Sequence, residues 1–121
     1  MTKILVVDDC ADLRWTIAEH FKLYGLMAIE ASNGEEALKV LEAFSPKFVL
    51  TDIDMPKMSG ISFLREARAR YPELPIFVMT AHSVHSKSEV MKLGASGYSD
   101  KTSILKLIES LGKEFGVVAR E

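Results

Sequence analysis

The sequence contains a single cysteine, Cys10, among its 121 residues. An internal disulfide framework is therefore excluded, and this cysteine usage is typical of proteins in a reducing compartment. No apolar run approaches the roughly 18 residues of a membrane-spanning helix. Positive charge is not in excess, because the formal net charge is −2, and this argues against a dedicated nucleic-acid binder. We expect a cytoplasmic protein that binds neither membranes nor nucleic acid directly.

The chain also lacks internal repeats and low-complexity segments. Its length suits one domain with one core. Apolar residues make up 48% and charged residues 26%, which is typical of globular proteins. We expect a single domain over residues 1–121, with a core at about 3–115 and a tail or the start of a linker at 116–121.

Short apolar segments alternate five times with segments of helical periodicity. Several of these segments are almost continuously apolar, as in parallel strands that are covered on both faces. Right-handed crossovers between them predict a doubly wound α/β domain with a five-stranded parallel sheet and five helices. The predicted strands are Ile4–Val7, Met27–Glu30, Phe48–Thr51, Ile76–Met79 and Gly97–Ser99.

Capping residues predict where the helices begin. Ser32 with Glu35 forms a capping box for the second helix. Ser59 is the predicted cap of the third helix. The fourth helix, at about Val84–Leu93, has few apolar residues in its first turns, so we expect it to be marginally stable.

Reactive side chains follow four of the predicted strands. Ligands of open parallel sheets bind beyond the carboxyl ends of the strands, where the strand order reverses. Clustered carboxylates repel one another unless a cation neutralises them, and an all-oxygen site favours Mg²⁺. The residues in question are Asp8 and Asp9, Asp52 and Asp54, Thr80, and Lys101.

A metal alone does not explain the hydroxyl and the ammonium group at this edge. A transferred phosphoryl group does, because its oxygens can be shared among a metal, Lys101, Thr80 and backbone N–H groups. An aspartate can act as the nucleophile and form an aspartyl phosphate. The pattern therefore predicts phosphoryl transfer to a carboxylate.

Motifs in chain order make the sequence similar to a known family. They are Asp8-Asp9, the segment Asp52–Gly60, Thr80-Ala81, and the segment Gly94–Lys101. Over roughly residues 3–111 the chain resembles response-regulator receiver domains of two-component signalling, in particular those similar to chemotaxis regulators. The resemblance implies a flavodoxin-like sheet with strand order 2-1-3-4-5.

The resemblance also implies the roles of the acidic residues. Asp52 would accept a phosphoryl group from a histidine kinase or a histidine phosphotransfer protein. Asp9 and Asp52 would bind Mg²⁺ through their carboxylates, Asp8 mainly through water, and Asp54 through its backbone carbonyl. The domain would be a phosphoacceptor that catalyses its own phosphorylation and dephosphorylation, rather than a conventional enzyme.

The implied switch involves the remaining matched residues. Thr80, the backbone N–H of Ala81 and Lys101 would contact the phosphoryl group, and Tyr98 would follow the movement of Thr80. This would reshape the face of the fourth helix, fifth strand and fifth helix. The implied partner is a downstream target or a fused output domain, and dimerisation on phosphorylation stays open.

The sequence departs from the family pattern at two places. Thr102 stands where the family usually has a proline that follows a cis peptide, and Thr102 or Ser103 is the predicted cap of the fifth helix. Asp54 places a second carboxylate near the phosphoryl group, where it is expected to change the lifetime of the phosphorylated state.

Trp15 falls about 200° around the first helix from Leu13 and Ile17. We therefore expect it to lie off the core face, where it either anchors a partner helix near Asp52 or lies against neighbouring side chains.

Two other functions fit parts of the sequence. Asp52-Ile53-Asp54 imitates the paired aspartates of phosphatases of the haloacid dehalogenase type, although Pro56 stands where threonine or valine is expected. A receiver that only binds partners is the second alternative, although every reactive position is filled. The chain is either a single-domain regulator or the receiver of a longer protein.

Overall fold

Five strands and five helices alternate along the chain, in a computed structural model that describes residues 1–55, 57–81 and 85–116. The strands are β1 (Thr2–Val7), β2 (Leu26–Ala31), β3 (Val49–Asp52), β4 (Ile76–Thr80) and β5 (Gly97–Asp100). The helices are α1 (Ala11–Lys22), α2 (Gly34–Ala43), α3 (Gly60–Arg70), α4 (Lys87–Lys92) and α5 (Ile104–Phe115). Predictions for Pro56, Val84 and the tail 117–121 lie outside the described residues.

The five strands form one parallel sheet in the order β2-β1-β3-β4-β5. The predicted fold class and strand order are confirmed. The order reverses between β1 and β3, where Val7 pairs with Thr51. The carboxyl ends of these two strands therefore lie side by side, at the place where such sheets bind ligands. None of the described helices has the length and apolar character needed to cross a membrane.

The core has one layer on each face of the sheet. Alternate side chains of β1 enter different layers: Leu5 and Val7 point to one, and Ile4 and Val6 to the other. The first layer is covered by α2, α3 and α4, and the second by α1 and α5. Both faces of the sheet are buried at β1, which explains why Ile4–Val7 is a continuous apolar run.

The predicted cap of the second helix is wrong by one residue. Asn33 is the N-cap of α2, and its side chain accepts a hydrogen bond from the Glu36 N–H at 2.9 Å. Glu36 Oε1 in turn accepts from the Ser32 N–H at 2.9 Å. This arrangement differs from a capping box, because the Glu36 side chain accepts from the residue before the N-cap and not from Asn33 itself.

The fourth helix has only six residues, fewer than predicted. A capping box of Ser86 and Glu89 starts it, and Val90 is its one buried residue among those described. Little apolar surface therefore holds α4 against the sheet, in keeping with the expected marginal stability.

The fifth helix begins after Ser103, one of its two predicted caps. A 3₁₀ turn, Lys101–Ser103, precedes α5, and Asp100 Oδ1 accepts a hydrogen bond from the Thr102 N–H at 2.8 Å. Ser103 is the N-cap but makes no side-chain capping bond. The described residues contain no cis peptide, so the peptide joining Lys101 and Thr102 is trans.

Candidate functional site

Three carboxylates meet at the point where the strand order reverses. Asp8 and Asp9 follow β1, and Asp52 is the last residue of β3. One oxygen of each carboxylate lies within 4.8 Å of the others. Asp8 is 0% and Asp52 3% exposed, whereas Asp9 faces solvent. The predicted cluster therefore forms, with one open side toward water.

The loop after Asp52 is held by a close backbone contact. A Cβ atom on Gly60 would lie 2.4 Å from the Asp52 carbonyl oxygen, so only glycine lets α3 begin this close to the strand. The Gly60 N–H donates to the Ile53 carbonyl at 2.9 Å. The predicted cap Ser59 is confirmed, since its hydroxyl accepts from the Ser62 N–H. These contacts fix the segment that carries Asp52.

Lys101 reaches two of the three carboxylates. Its Nζ lies 2.9 Å from Asp8 Oδ2 and 3.2 Å from Asp52 Oδ2, and its side chain is 18% exposed. Burial opposes the ammonium charge, but the two carboxylates outweigh this effect, and the pKa of Lys101 is raised. The trans peptide at Thr102 therefore does not remove Lys101 from the site.

One cation does not balance the buried negative charge. Burial, followed by repulsion from Asp8, raises the pKa of Asp52, although Lys101 partly offsets both effects. Asp8 Oδ1 accepts from the Cys10 N–H at 2.9 Å. Asp8 Oδ2 accepts no well-aligned hydrogen bond within the described part of the chain, despite its ion pair with Lys101. These oxygens fit a hard divalent cation.

Thr80 and Ala81 lie at the carboxyl end of β4, beside Asp52, and Thr80 is buried whereas Ala81 is exposed. The Thr80 hydroxyl donates to Asp54 Oδ2 at 3.4 Å. The Asp54 N–H donates to Asp52 Oδ1 at 3.2 Å. The structure thus brings Thr80 close to the acidic segment, but its hydroxyl bonds to Asp54 in place of Asp52.

Among the described residues, Tyr98 and Trp15 make no hydrogen bond to the three carboxylates. Tyr98 is half-buried in β5 and packs against the core layer of α2, α3 and α4. Trp15 is 59% exposed on α1, so its predicted position off the core face is confirmed.

Sequence reasoning missed Arg14. Its guanidinium donates to the main-chain carbonyl of Asp8, with Nη1 2.6 Å from the oxygen. No sequence pattern marks such a contact, because the acceptor is a backbone atom that every residue has.

Comparison with known proteins identifies the family. The chain matches the response regulator receiver domain over residues 4–111 and belongs to that family. Receiver domains are the phosphoacceptor modules of two-component signalling, and this identification confirms the resemblance inferred from the motifs. It leaves no support for a phosphatase of the haloacid dehalogenase type.

Curated relatives are much longer than this chain. The DNA-binding transcriptional regulator NtrC of Escherichia coli K12 is 39% identical over 80 residues, which are 66% of this chain and 17% of NtrC. The regulatory protein AtoC of the same organism is 36% identical over 99 residues, 81% of this chain and 22% of AtoC. The chain thus spans about a fifth of these relatives.

Solved structures share the whole fold. The response regulator TrrA of Thermotoga maritima, in complex with Mg²⁺–BeF, has a TM-score of 0.83 and 32% identity, covering 93% of this chain and 98% of TrrA. The chemotaxis protein CheY4 of Vibrio cholerae has a TM-score of 0.83 and 27% identity, with the same two coverages.

Proposed function

We propose that this receiver accepts a phosphoryl group on Asp52, in a Mg²⁺-dependent reaction with a phosphohistidine of a kinase or phosphotransfer protein. One observation carries the proposal. The buried Asp52 carboxylate lies against two further carboxylates and 3.2 Å from the Lys101 ammonium. A nucleophile, a cation-binding oxygen set and a fixed positive charge therefore share one site.

The proposed step transfers one phosphoryl group between two side chains. An Asp52 carboxylate oxygen attacks phosphorus, an O–P bond forms, and the P–N bond to the donor histidine breaks. The electron pair of that bond returns to the imidazole nitrogen, which then takes a proton from solvent. Dephosphorylation is the attack of water on the same phosphorus, which restores the carboxylate and releases inorganic phosphate.

Asp9 and Asp52 would hold the metal through their carboxylates, with Asp8 acting mainly through water and Asp54 through its main-chain carbonyl. When bound, Mg²⁺ would neutralise the clustered carboxylates and draw charge from the phosphoryl oxygens. TrrA was solved with Mg²⁺ and beryllium fluoride together, which supports the same pairing of ligands here.

Three groups would receive the phosphoryl oxygens. Lys101 would pair with one, the Thr80 hydroxyl would leave Asp54 and donate to another, and the Ala81 N–H would donate as well. A phosphoryl group adds about −1.5 to −2 charge at neutral pH, which provides the driving force for this change. Tyr98 would then repack, and the surface of α4, β5 and α5 would change.

The changed surface of α4, β5 and α5 would then alter the binding of a partner. The short α4 is held by one buried residue, so a small free energy suffices to shift it. In a curated relative named as a DNA-binding regulator, the matched region is 17% of that protein's chain. We therefore propose either a fused output domain or a separate cytoplasmic target as the partner.

Intact mass spectrometry tests the proposal. The protein is incubated with acetyl phosphate, with and without Mg²⁺, beside an Asp52→Asn variant. We expect a single phosphoryl adduct that requires Mg²⁺ and is absent from the variant. An adduct that persists in the variant would place the acceptor elsewhere. No adduct with either acetyl phosphate or a phosphorylated histidine kinase, in folded protein, would leave a receiver that only binds partners.

A further inference from the structure

Arg14 links the acidic loop to the neighbouring strand. From the first turns of α1, its Nη1 donates to the Asp8 carbonyl at 2.6 Å and its Nε donates to Glu30 Oε1 at 2.9 Å. The side chain is 17% exposed, so most of it is packed. None of the roles proposed above uses this guanidinium, although it contacts the loop that carries two of the three clustered carboxylates.

With the Arg14 contact, both backbone groups of Asp8 and one of its carboxylate oxygens are hydrogen-bonded. The Asp8 N–H donates to the Ala31 carbonyl at 3.1 Å, and Asp8 Oδ1 accepts from the Cys10 N–H. Arg14 holds the remaining backbone group, the carbonyl. That carbonyl belongs to the planar peptide that joins Asp8 to Asp9, so holding it sets the direction in which the chain enters Asp9.

The position of the Asp9 carboxylate depends on this backbone direction more than the positions of the Asp8 and Asp52 carboxylates do. Asp8 and Asp52 are buried and contact Lys101. The Asp9 carboxylate is exposed, and within the described ranges it makes no hydrogen bond or ion pair. Its place in the cluster therefore rests on the backbone alone.

We infer that Arg14 is a positioning residue for divalent-cation binding: it orients the peptide between Asp8 and Asp9 and so holds the Asp9 carboxylate toward the cation. The inference rests on the proposed function, because it takes the three carboxylates to be a Mg²⁺ site. Groups that orient metal ligands from outside the coordination sphere typically contribute about 10- to 100-fold to metal affinity.

Whether replacing Arg14 weakens or strengthens Mg²⁺ binding distinguishes a positioning role from a purely electrostatic one. A positive charge near an acidic site weakens cation binding, so its loss alone would tighten Mg²⁺ binding. The pairing of Arg14 with Glu30 already reduces that influence. A positioning residue has the opposite signature, because its loss releases Asp9 and weakens binding.

Calorimetric titration with Mg²⁺ tests the inference on the wild type and on the Arg14→Met, Arg14→Lys and Glu30→Gln variants. We expect Arg14→Met to raise the dissociation constant about tenfold or more. Lysine should recover only part of this, because its ammonium on a flexible stem does not reproduce the fixed geometry of the guanidinium bond to the Asp8 carbonyl. Glu30→Gln should stay within about threefold of wild type, since it leaves the Arg14 bond to Asp8 in place.

A second measurement separates positioning from unfolding. Urea midpoints identify any variant that is broadly destabilised, and the amide resonance of Asp9 in Mg²⁺-free protein should shift or broaden in Arg14→Met. If Arg14→Met does not fold, the lysine variant decides, with weakening of about threefold or more supporting the inference.

The outcomes are distinguishable from failure of the proposed function. Unchanged or tighter Mg²⁺ binding by a folded Arg14→Met protein overturns the positioning role alone. Absence of Mg²⁺ binding by the wild type overturns the proposed metal site, and the positioning role with it.

Discussion

The Thr80 hydroxyl donates a hydrogen bond to Asp54, with 3.4 Å between Thr80 Oγ1 and Asp54 Oδ2. Thr80 is buried whereas Asp54 is exposed, so this bond points the hydroxyl toward the solvent side of the site. A phosphoryl group on Asp52 has to compete with Asp54 for the same proton. Asp54 also adds a negative charge beside the place where the phosphoryl charge would form.

Replacing Asp54 should therefore favour the phosphorylated arrangement. We expect Asp54→Ala to bind beryllium fluoride about fivefold more tightly at saturating Mg²⁺, since one competing hydrogen bond is worth about 1 kcal/mol. Titration calorimetry measures this directly. Asp54→Asn keeps an acceptor but no charge, so its affinity for beryllium fluoride should lie between those of wild type and Asp54→Ala. The gain should shrink in a Thr80→Ala background, and an equal or weaker affinity of Asp54→Ala would contradict the competition.

Lys101 should stabilise the fold as well as the phosphoryl group. Lys101→Met leaves Asp8 and Asp52 buried against each other without a cation, and we expect a loss of about 3 kcal/mol in the free energy of unfolding, the lower end for a broken buried ion pair. Urea denaturation measures it. Mg²⁺ should restore more stability to this variant than to wild type, because it supplies the missing positive charge.

Lys113→Met is the matched control for Lys101. Lys113 forms an ion pair with Glu109 at 3.3 Å on α5, but both side chains are mostly exposed. We expect less than about 0.5 kcal/mol from its loss, the usual scale of surface pairs. Similar losses in the two variants would mean that the buried carboxylates do not depend on Lys101.

Asp52 should make the metal-free protein less stable as the pH rises. Its pKa is raised in the fold, first by burial and then by Asp8, above the ordinary value of 3.8. Between these two pKa values the folded protein binds more protons than the unfolded chain, so stability falls as the pH rises through that window. At pH values above the raised pKa, the ionised Asp52 carboxylate destabilises the fold to its full extent.

An Asp52→Asn variant lacks this titration. In the absence of Mg²⁺ we expect it to be more stable than wild type at neutral pH, with a difference that narrows as the pH falls below the raised pKa of Asp52. Thermal unfolding at several pH values measures the difference. A gap that widens on acidification would show that the Asp52 carboxylate is stabilised by the fold.

The sheet and the acidic site could be predicted because the strands have a clear sequence pattern and the site residues follow directly after them. Continuous apolar runs such as Ile4–Val7 are typical of strands covered on both faces, and here the side chains alternate between the two core layers. The carboxyl ends of parallel strands share one edge, so Asp8 and Asp52 had to meet once β1 and β3 were neighbours. Strand order itself came from the family resemblance.

Contacts that depend on single rotamers or backbone atoms could not be predicted. Periodicity does not fix a helix start to one residue, so the predicted cap Ser32 lies one position before the N-cap of α2, Asn33. The bond from Arg14 to the Asp8 carbonyl leaves no pattern in the sequence, and the bond between Thr80 and Asp54 depends on the conformation of two side chains.

Trp15 offers a test of how a protein phosphodonor docks. It lies about one turn into α1, the helix that follows Asp9, and is 59% exposed, although tryptophan is costly to leave in water. If it anchors the donor, Trp15→Ala should lower kcat/KM for phosphotransfer from a histidine kinase that labels the wild type by roughly 10- to 30-fold. Phosphorylation by acetyl phosphate should be unchanged, because that donor needs no docking surface.

Leu23→Ala is the matched control for this prediction. Leu23 is 71% exposed and follows the other end of α1, so it presents a similar apolar surface far from the acidic loop. Its replacement should leave both reactions unchanged. A loss that Trp15→Ala shows with acetyl phosphate as well would assign the tryptophan to the integrity of the site. Unchanged transfer from the kinase would mean that Trp15 only covers its neighbours on α1.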